Sequence, residues 1–133
     1  MEKSTTISAA LGELYDVFAT GDGDKMAQLT TSDAGLVFIG TDPGEWFETL
    51  AEVRALAEAQ AGAGVKVRPG DMTAYEEGTV GWVADQGAFV LPDGSEVPFR
   101  MTAVFHREDG NWKLVQEHAS VAVANEEALG TEI

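Results

Sequence analysis

Cysteine is absent from this 133-residue chain, which excludes disulfides, thiolate metal centres and a cysteine nucleophile. Basic residues are scarce as well. Lys and Arg number 8 against 23 Asp and Glu, for a net charge of −15. They form no cluster, and a protein without a basic patch cannot displace the counterions of nucleic acid or settle on anionic lipid. Neither partner is expected. No apolar run is long enough for a membrane span. The opening Met1-Glu-Lys-Ser-Thr-Thr6 lacks the basic segment and apolar stretch of a secretory signal. A cytoplasmic protein is the expectation.

What the chain does have is an apolar fraction of 44% with three Trp, two Tyr and six Phe, enough for a packed core in one domain spanning residues 1–133. Ile7, Leu11, Leu14 and Phe18 recur at helical spacing until Gly21-Asp22-Gly23. Asp24 is placed to cap a short second helix over Lys25–Leu29. Gly35–Ile39 reads as a strand, and Gly40-Thr-Asp-Pro-Gly44 breaks the chain. A third helix follows, with Trp46, Leu50, Val53 and Ala57 as its stripe and Gly62 and Gly64 as its stop. From Val65 the texture turns to strands: Val65–Val67 running on through Met72–Glu76, then Thr79–Val90, Val97–Arg107 and Trp112–Val123. Helices first and a meander afterwards predict α+β, with three N-terminal helices on one face of a mostly antiparallel sheet.

Asp93-Gly94 and Asp109-Gly110 are the hairpin joints, since Asp-Gly tolerates positive φ. Read as two-residue turns, they put Phe105 opposite Leu114, Met101 opposite His118, Phe99 opposite Ser120, Trp82 opposite Phe105 and Gln86 opposite Met101. The helix-covered face then carries Phe99, Met101, Ala103, Phe105, Trp112, Leu114, Gln116, His118 and Ser120. Arg100, Thr102, Val104, His106, Lys113, Val115 and Glu117 face outward. A slip of one residue would reverse such an assignment, and Gly81 or Gly87 could host a bulge.

That inner face is apolar around Trp82, Phe105 and Leu114 and polar at Gln86, Gln116, His118 and Ser120, the pattern of a small-molecule pocket. The bland alternative is that the four polar side chains satisfy one another or buried backbone. His118 is the candidate acid/base, because imidazole titrates near neutral pH. Ser120 lacks a nucleophile-elbow setting. Asp85 points outward in this register, near Thr102 and diagonal to Arg100, and a bulge at Gly87 would turn it inward as a second acid/base. Tyr15 and Trp46 are candidates for the pocket wall, with packing as their alternative role. Metal binding is not expected: His106 and His118, the only histidines, fall on opposite faces in this register and no thiolate is available. Gly21-Asp-Gly-Asp24 lacks calcium-loop spacing. Gly62-Ala-Gly64 follows a helix rather than a strand and makes no dinucleotide fingerprint, and there is no Walker loop. No cofactor is expected.

The order of elements, Gly21-Asp22 after the first helix, and the ending His106-Arg-Glu-Asp-Gly-Asn-Trp112-Lys-Leu-Val115-Gln-Glu-His118-Ala-Ser120 resemble the nuclear transport factor 2-like superfamily, and within it SnoaL-like domains. The final segment is also similar to the association domain of calmodulin-dependent kinase II. The resemblance implies a cone-shaped half-barrel with a pocket, paired through its sheet. It also implies membership of a group that includes isomerases, dehydratases, polyketide cyclases, epoxide hydrolases and non-catalytic association modules. Ketosteroid isomerases place a tyrosine in the first helix and a base aspartate in the first strand. Anchored on Gly21-Asp22 and Ser32-Asp33, those positions fall on Leu14 and Phe38, which cannot move a proton. SnoaL-like cyclases use a pocket aspartate, for which Asp85 is the candidate. Three functions follow as expectations: a pocket protein binding a partly apolar molecule, an isomerase-, cyclase- or hydratase-type enzyme using His118 and Asp85, or an association module that buries its outer sheet face.

Overall fold

The computed structural model describes residues 1–133. A short strand, β1 (Glu2–Lys3), leads into α1 (Thr5–Thr20) and α2 (Gly23–Leu29). Ser4 caps α1 by accepting a hydrogen bond from the Ile7 N–H at 3.1 Å, and Gly21, at φ 72°, closes it with a bond to the Val17 carbonyl. The cap of α2 is Asp22, not Asp24: its carboxylate accepts from the Lys25 N–H. Strands β2 (Val37–Ile39) and β3 (Trp46–Phe47) follow, then α3 (Leu50–Gly62). Trp46 therefore lies on a strand and is 61% exposed, because Thr49 caps α3 and the helix begins at Leu50, four residues beyond Trp46.

The β half comprises β4 (Lys66–Arg68), β5 (Thr73–Glu77), β6 (Val80–Asp85), β7 (Ala88–Val90), β8 (Glu96–Pro98), β9 (Arg100–Glu108) and β10 (Asn111–Ser120). A last helix, α4 (Asn125–Leu129), and strands β1 and β3 carry no strong sequence signal. Seven strands form one open sheet in the order β1-β5-β6-β9-β10-β2-β3, in which β2 runs parallel to β10 and every other pair is antiparallel. Three more, β4-β7-β8, form a second small sheet. Two expected long strands are thus broken in two, each half serving a different sheet. The breaks fall at Gln86-Gly87 and at Phe99. Gly87 has no room for a side chain there, since a Cβ would meet the Arg68 carbonyl oxygen at 2.4 Å.

The fold is α+β as expected, with the first three helices against the sheet and one core between the layers. Ile7, Leu11, Leu14, Met26, Val53, Val83, Phe105 and Leu114 are all fully buried in it. α1 approaches the sheet closely enough that a Cβ on Gly81 would meet the Ile7 side chain at 2.6 Å.

Two features of register decide which side chains face this interior. At the Asp109-Gly110 turn both residues have positive φ (51° and 79°), and Phe105 stands opposite Leu114 as expected. Beyond Leu114, however, β10 carries an extra residue, Val115, so that Gln116 pairs with Val104 and Glu117 with Ala103. The bulge reverses the facing of everything after it. It is tied down from α2's end, where the Thr31 N–H donates to the Leu114 carbonyl at 2.9 Å. The second feature is the Asp93-Gly94 turn. Leu91 bonds to Ser95 across Pro92-Asp93-Gly94, a three-residue loop rather than two. The shift carries through to β6, putting Gly81 opposite Phe105, Val83 opposite Ala103 and Asp85 opposite Met101.

Candidate functional site

Past the bulge, helices and sheet separate to leave a cavity of about 480 Å³. α1 supplies Tyr15 and Phe18, α3 supplies Leu56 and Gln60, and the small sheet supplies Val67 and Phe89. The long hairpin closes the floor with Met101, Glu117 and Ala119, and Glu45 stands in the wall from the β2–β3 connection. Thirteen of the 18 lining residues are hydrophobic. The aromatic side chains pack against one another: Phe18 stacks on Phe38 at 5.7 Å between ring centres, and Phe99 meets Tyr15 edge-on at 6.0 Å.

Two carboxyl groups are buried at this end, and their surroundings differ. Asp85, 3% exposed, accepts the Tyr15 hydroxyl at 2.8 Å and the Gly70 N–H at 3.0 Å. Gly70 can approach because it has no side chain; a Cβ there would meet the Gln86 carbonyl oxygen at 2.0 Å. Glu117 is 2% exposed, lies in the sheet between Ala103 and Phe38, and receives no hydrogen bond from the protein. Burial alone pushes its pKa from 4.5 to about 8, because the charged form has lost its water and gained no donor. Glu117 is therefore a protonated acid at neutral pH, poised to exchange that proton close to pH 8. Tyr15 is pushed well above the ordinary phenol range, first by burial, then by its bond to Asp85 and by the charges of Asp85 and Glu117. Its hydroxyl stays a donor.

Several sequence-based placements need correction. His118, Gln116 and Ser120 do not share the inner face: His118 and Gln116 are exposed and Ser120 is half-buried, all on the far side of the sheet from Glu117. The Val115 bulge is the cause. His106 and His118 accordingly point to the same outer side, not to opposite ones. Trp82 and Gln86 are exposed, displaced by the three-residue loop; Trp82 stacks on Tyr75 at 5.3 Å outside. Asp85 faces inward without any bulge at Gly87, for the same reason. Glu117, assigned to the outer face, is the acid of the cavity. Of the nominated wall residues, Tyr15 and Met101 line the cavity and Trp46 does not. On α1 it is Tyr15 rather than its neighbour Leu14 that borders the space, so the first helix does present a phenol; Phe38, also on the wall, offers no base.

One signal for Glu117 was present in the sequence. Leu114 and the later pair Ala119 and Val121 differ in parity, and such a switch along a strand marks an inserted residue. Outside the cavity, Asp33, His106 and Glu108 bring ligand-type atoms within 4.8 Å of one another, a grouping that comparing histidines alone misses. Glu108 there accepts from Thr31 at 2.7 Å and faces His106 Nδ1 at 3.2 Å, a local hydrogen-bond network.

An open mixed sheet under three helices, with a cavity at the far end of its long hairpin, defines the nuclear transport factor 2-like class. Residues 7–124 match the SnoaL-like domain, and the chain belongs to that family. Among solved structures it is similar to a candidate dehydratase of the nuclear transport factor 2-like family from Streptomyces avermitilis (19% identity, TM-score 0.77, covering 90% of this chain and 96% of that one). It is also similar to a candidate calcium/calmodulin-dependent protein kinase II association domain from Xanthomonas campestris (22%, 0.73, 92% and 95%). A candidate ketosteroid isomerase from Shewanella frigidimarina is a third (14%, 0.72, 88% and 96%). At such identities these likenesses concern the fold alone. No curated protein matches the chain. No helix is long and apolar enough to cross a membrane.

Proposed function

We propose that this protein binds a small, largely apolar molecule in its cavity and exchanges a proton with it through Glu117. The observation that carries this reading is a single carboxyl, buried among hydrocarbon and unpartnered within the chain. Burying it destabilises the fold, and its raised pKa is of the kind found where a side chain must donate or accept a proton near neutral pH. A thermal-shift panel of small aromatic and polyketide-like molecules tests the binding. Stabilisation of the native protein that weakens in Glu117→Gln supports it; no stabilisation by any member of the panel rejects it.

The Tyr15 side chain on the α1 wall, backed by Asp85, supports a second reading, turnover of the isomerase or dehydratase type. Glu117 would then both take and return the proton, while the Tyr15 hydroxyl, its own hydrogen bond donated to Asp85, holds the α1 side of the cavity fixed beside the reacting molecule. Glu117-dependent uptake of solvent deuterium by small unsaturated ketones is the expected result, and equal uptake by Glu117→Gln would exclude that role. Pairing of two copies through the outer sheet face is the proposed assembly, since Val80 (48% exposed) and Trp82 (36% exposed) both lie there. A Val80→Asp variant that sediments as a monomer would support it, and one unchanged from the parent would reject it.

A further inference from the structure

The charge pattern of the cavity identifies what kind of molecule would complete it, given the reading that it binds one. Glu45 and Glu117 are its acidic residues; no Lys, Arg or His lines it. Its polar donors are few, and none reaches Glu117. The Tyr15 hydroxyl is committed to Asp85, and Gln60, on the α3 wall, has a buried amide nitrogen that makes no hydrogen bond. A buried carboxyl is ordinarily matched by a cation or by several N–H groups. This chain supplies neither, so the complement must arrive with the ligand. The surrounding field favours the same sign, because a protein of net charge −15 concentrates cations and repels anions at its surface.

We propose that the cavity takes a small apolar amine in its cationic form, the ammonium group seated on Glu117 and the hydrocarbon held among Phe18, Phe38, Val67 and Phe89. The groups that face this seat are Tyr15 from α1, Asp85 behind it on β6, and Glu45 from the β2–β3 connection; none is positive. A carboxylate or phosphate would bring a second negative charge into a space that has no cation. An alcohol would give Glu117 a hydrogen bond without the charge. Pairing with the ammonium ion favours the ionised carboxylate, so Glu117 releases to solvent the proton it holds in its apolar surroundings.

Calorimetric titration of the native protein at pH 7 with naphthylmethylamine, naphthylmethanol and naphthoate, each in two buffers of different ionisation heat, tests this. The amine is expected to bind roughly tenfold to a hundredfold more tightly than the alcohol, the difference between a charge-assisted and a neutral hydrogen bond. Naphthoate should not bind, and close to one proton should leave per amine bound. In Glu117→Gln, shown to be folded by its thermal transition, the amine's advantage should fall to near unity and the proton release should vanish. Equal binding of alcohol and amine, or any preference for naphthoate, overturns the amine proposal while leaving the cavity a binding site. Failure of all three to bind overturns the binding reading as well.

Discussion

The two ends of the β9–β10 hairpin are built from one pair of strands and do opposite things. At the turn end Leu114 faces Phe105, both fully buried, and α1 presses down onto Gly81 beside them. The interior there is apolar apart from Thr30 and Thr31 beside Leu114, and the Thr30 hydroxyl is bonded to the Met26 sulfur. Past Val115 the same strands carry Glu117 between Ala103 and Phe38, and helices and sheet touch only around the rim of a cavity, as where Phe18 stacks on Phe38. One inserted residue separates a close-packed core from a cavity holding an ionisable group. The comparison suggests that stability is concentrated at one end, leaving the other free to carry a group that lowers it.

Mutations at the dry end should therefore have the largest effect. Leu114→Ala leaves a void in a close-packed region and is expected to cost about 2–5 kcal/mol in denaturant unfolding. Met101→Ala enlarges a space that already exists and should cost less than half as much. Similar losses at both positions would erase the distinction between the ends.

The next effect in size is a pH-dependent one at Glu117. The folded carboxyl keeps its proton up to about pH 8, against about 4.5 for the free group. Between those values the folded state holds more protons than the unfolded one, so stability falls as pH rises through the window and levels off above it. Glu117→Gln removes that dependence. Relative to the native protein it should gain on the order of a few kcal/mol by pH 9, with the gain shrinking toward zero below pH 4.5. Parallel stability curves for the two proteins would place Glu117 in water.

Tyr15→Phe should come third. It strips Asp85 of the donor at 2.8 Å and leaves the Gly70 N–H alone to satisfy a buried carboxyl, for about 1–3 kcal/mol. His118→Ala should be the mildest, within about 0.5 kcal/mol, and without effect on ligand binding, because the imidazole sits on the outer side of the sheet. A strong loss of binding in that variant would mean that the strand runs past Leu114 without its bulge.

Much of this architecture was legible in the residues. Helical spacing located α1 and α3, Asp109-Gly110 gave the correct pairing of Phe105 with Leu114, and Phe99, Met101, Ala103 and Phe105 face inward as the alternation requires. The candidate site was legible only in part, because facing beyond a turn depends on counting and not on composition. The loop between Leu91 and Ser95 contains the Asp-Gly pair of a two-residue turn yet closes with three residues. Both Gln116–His118 and Glu117–Ala119 make a plausible inner face, and the bulge that chooses between them is fixed by a contact remote in sequence, from Thr31 to the Leu114 carbonyl. So Glu117 was read as a surface residue, and His118 as the acid/base.

The titration of Glu117 itself tests the account most directly. With its side-chain carboxyl carbon labelled with ¹³C and followed by NMR, Glu117 should titrate with a midpoint near 8, the signal disappearing in Glu117→Gln. A midpoint in the ordinary carboxylate range near 4.5 would mean that the group is solvated, and would contradict a buried acid at the heart of the cavity.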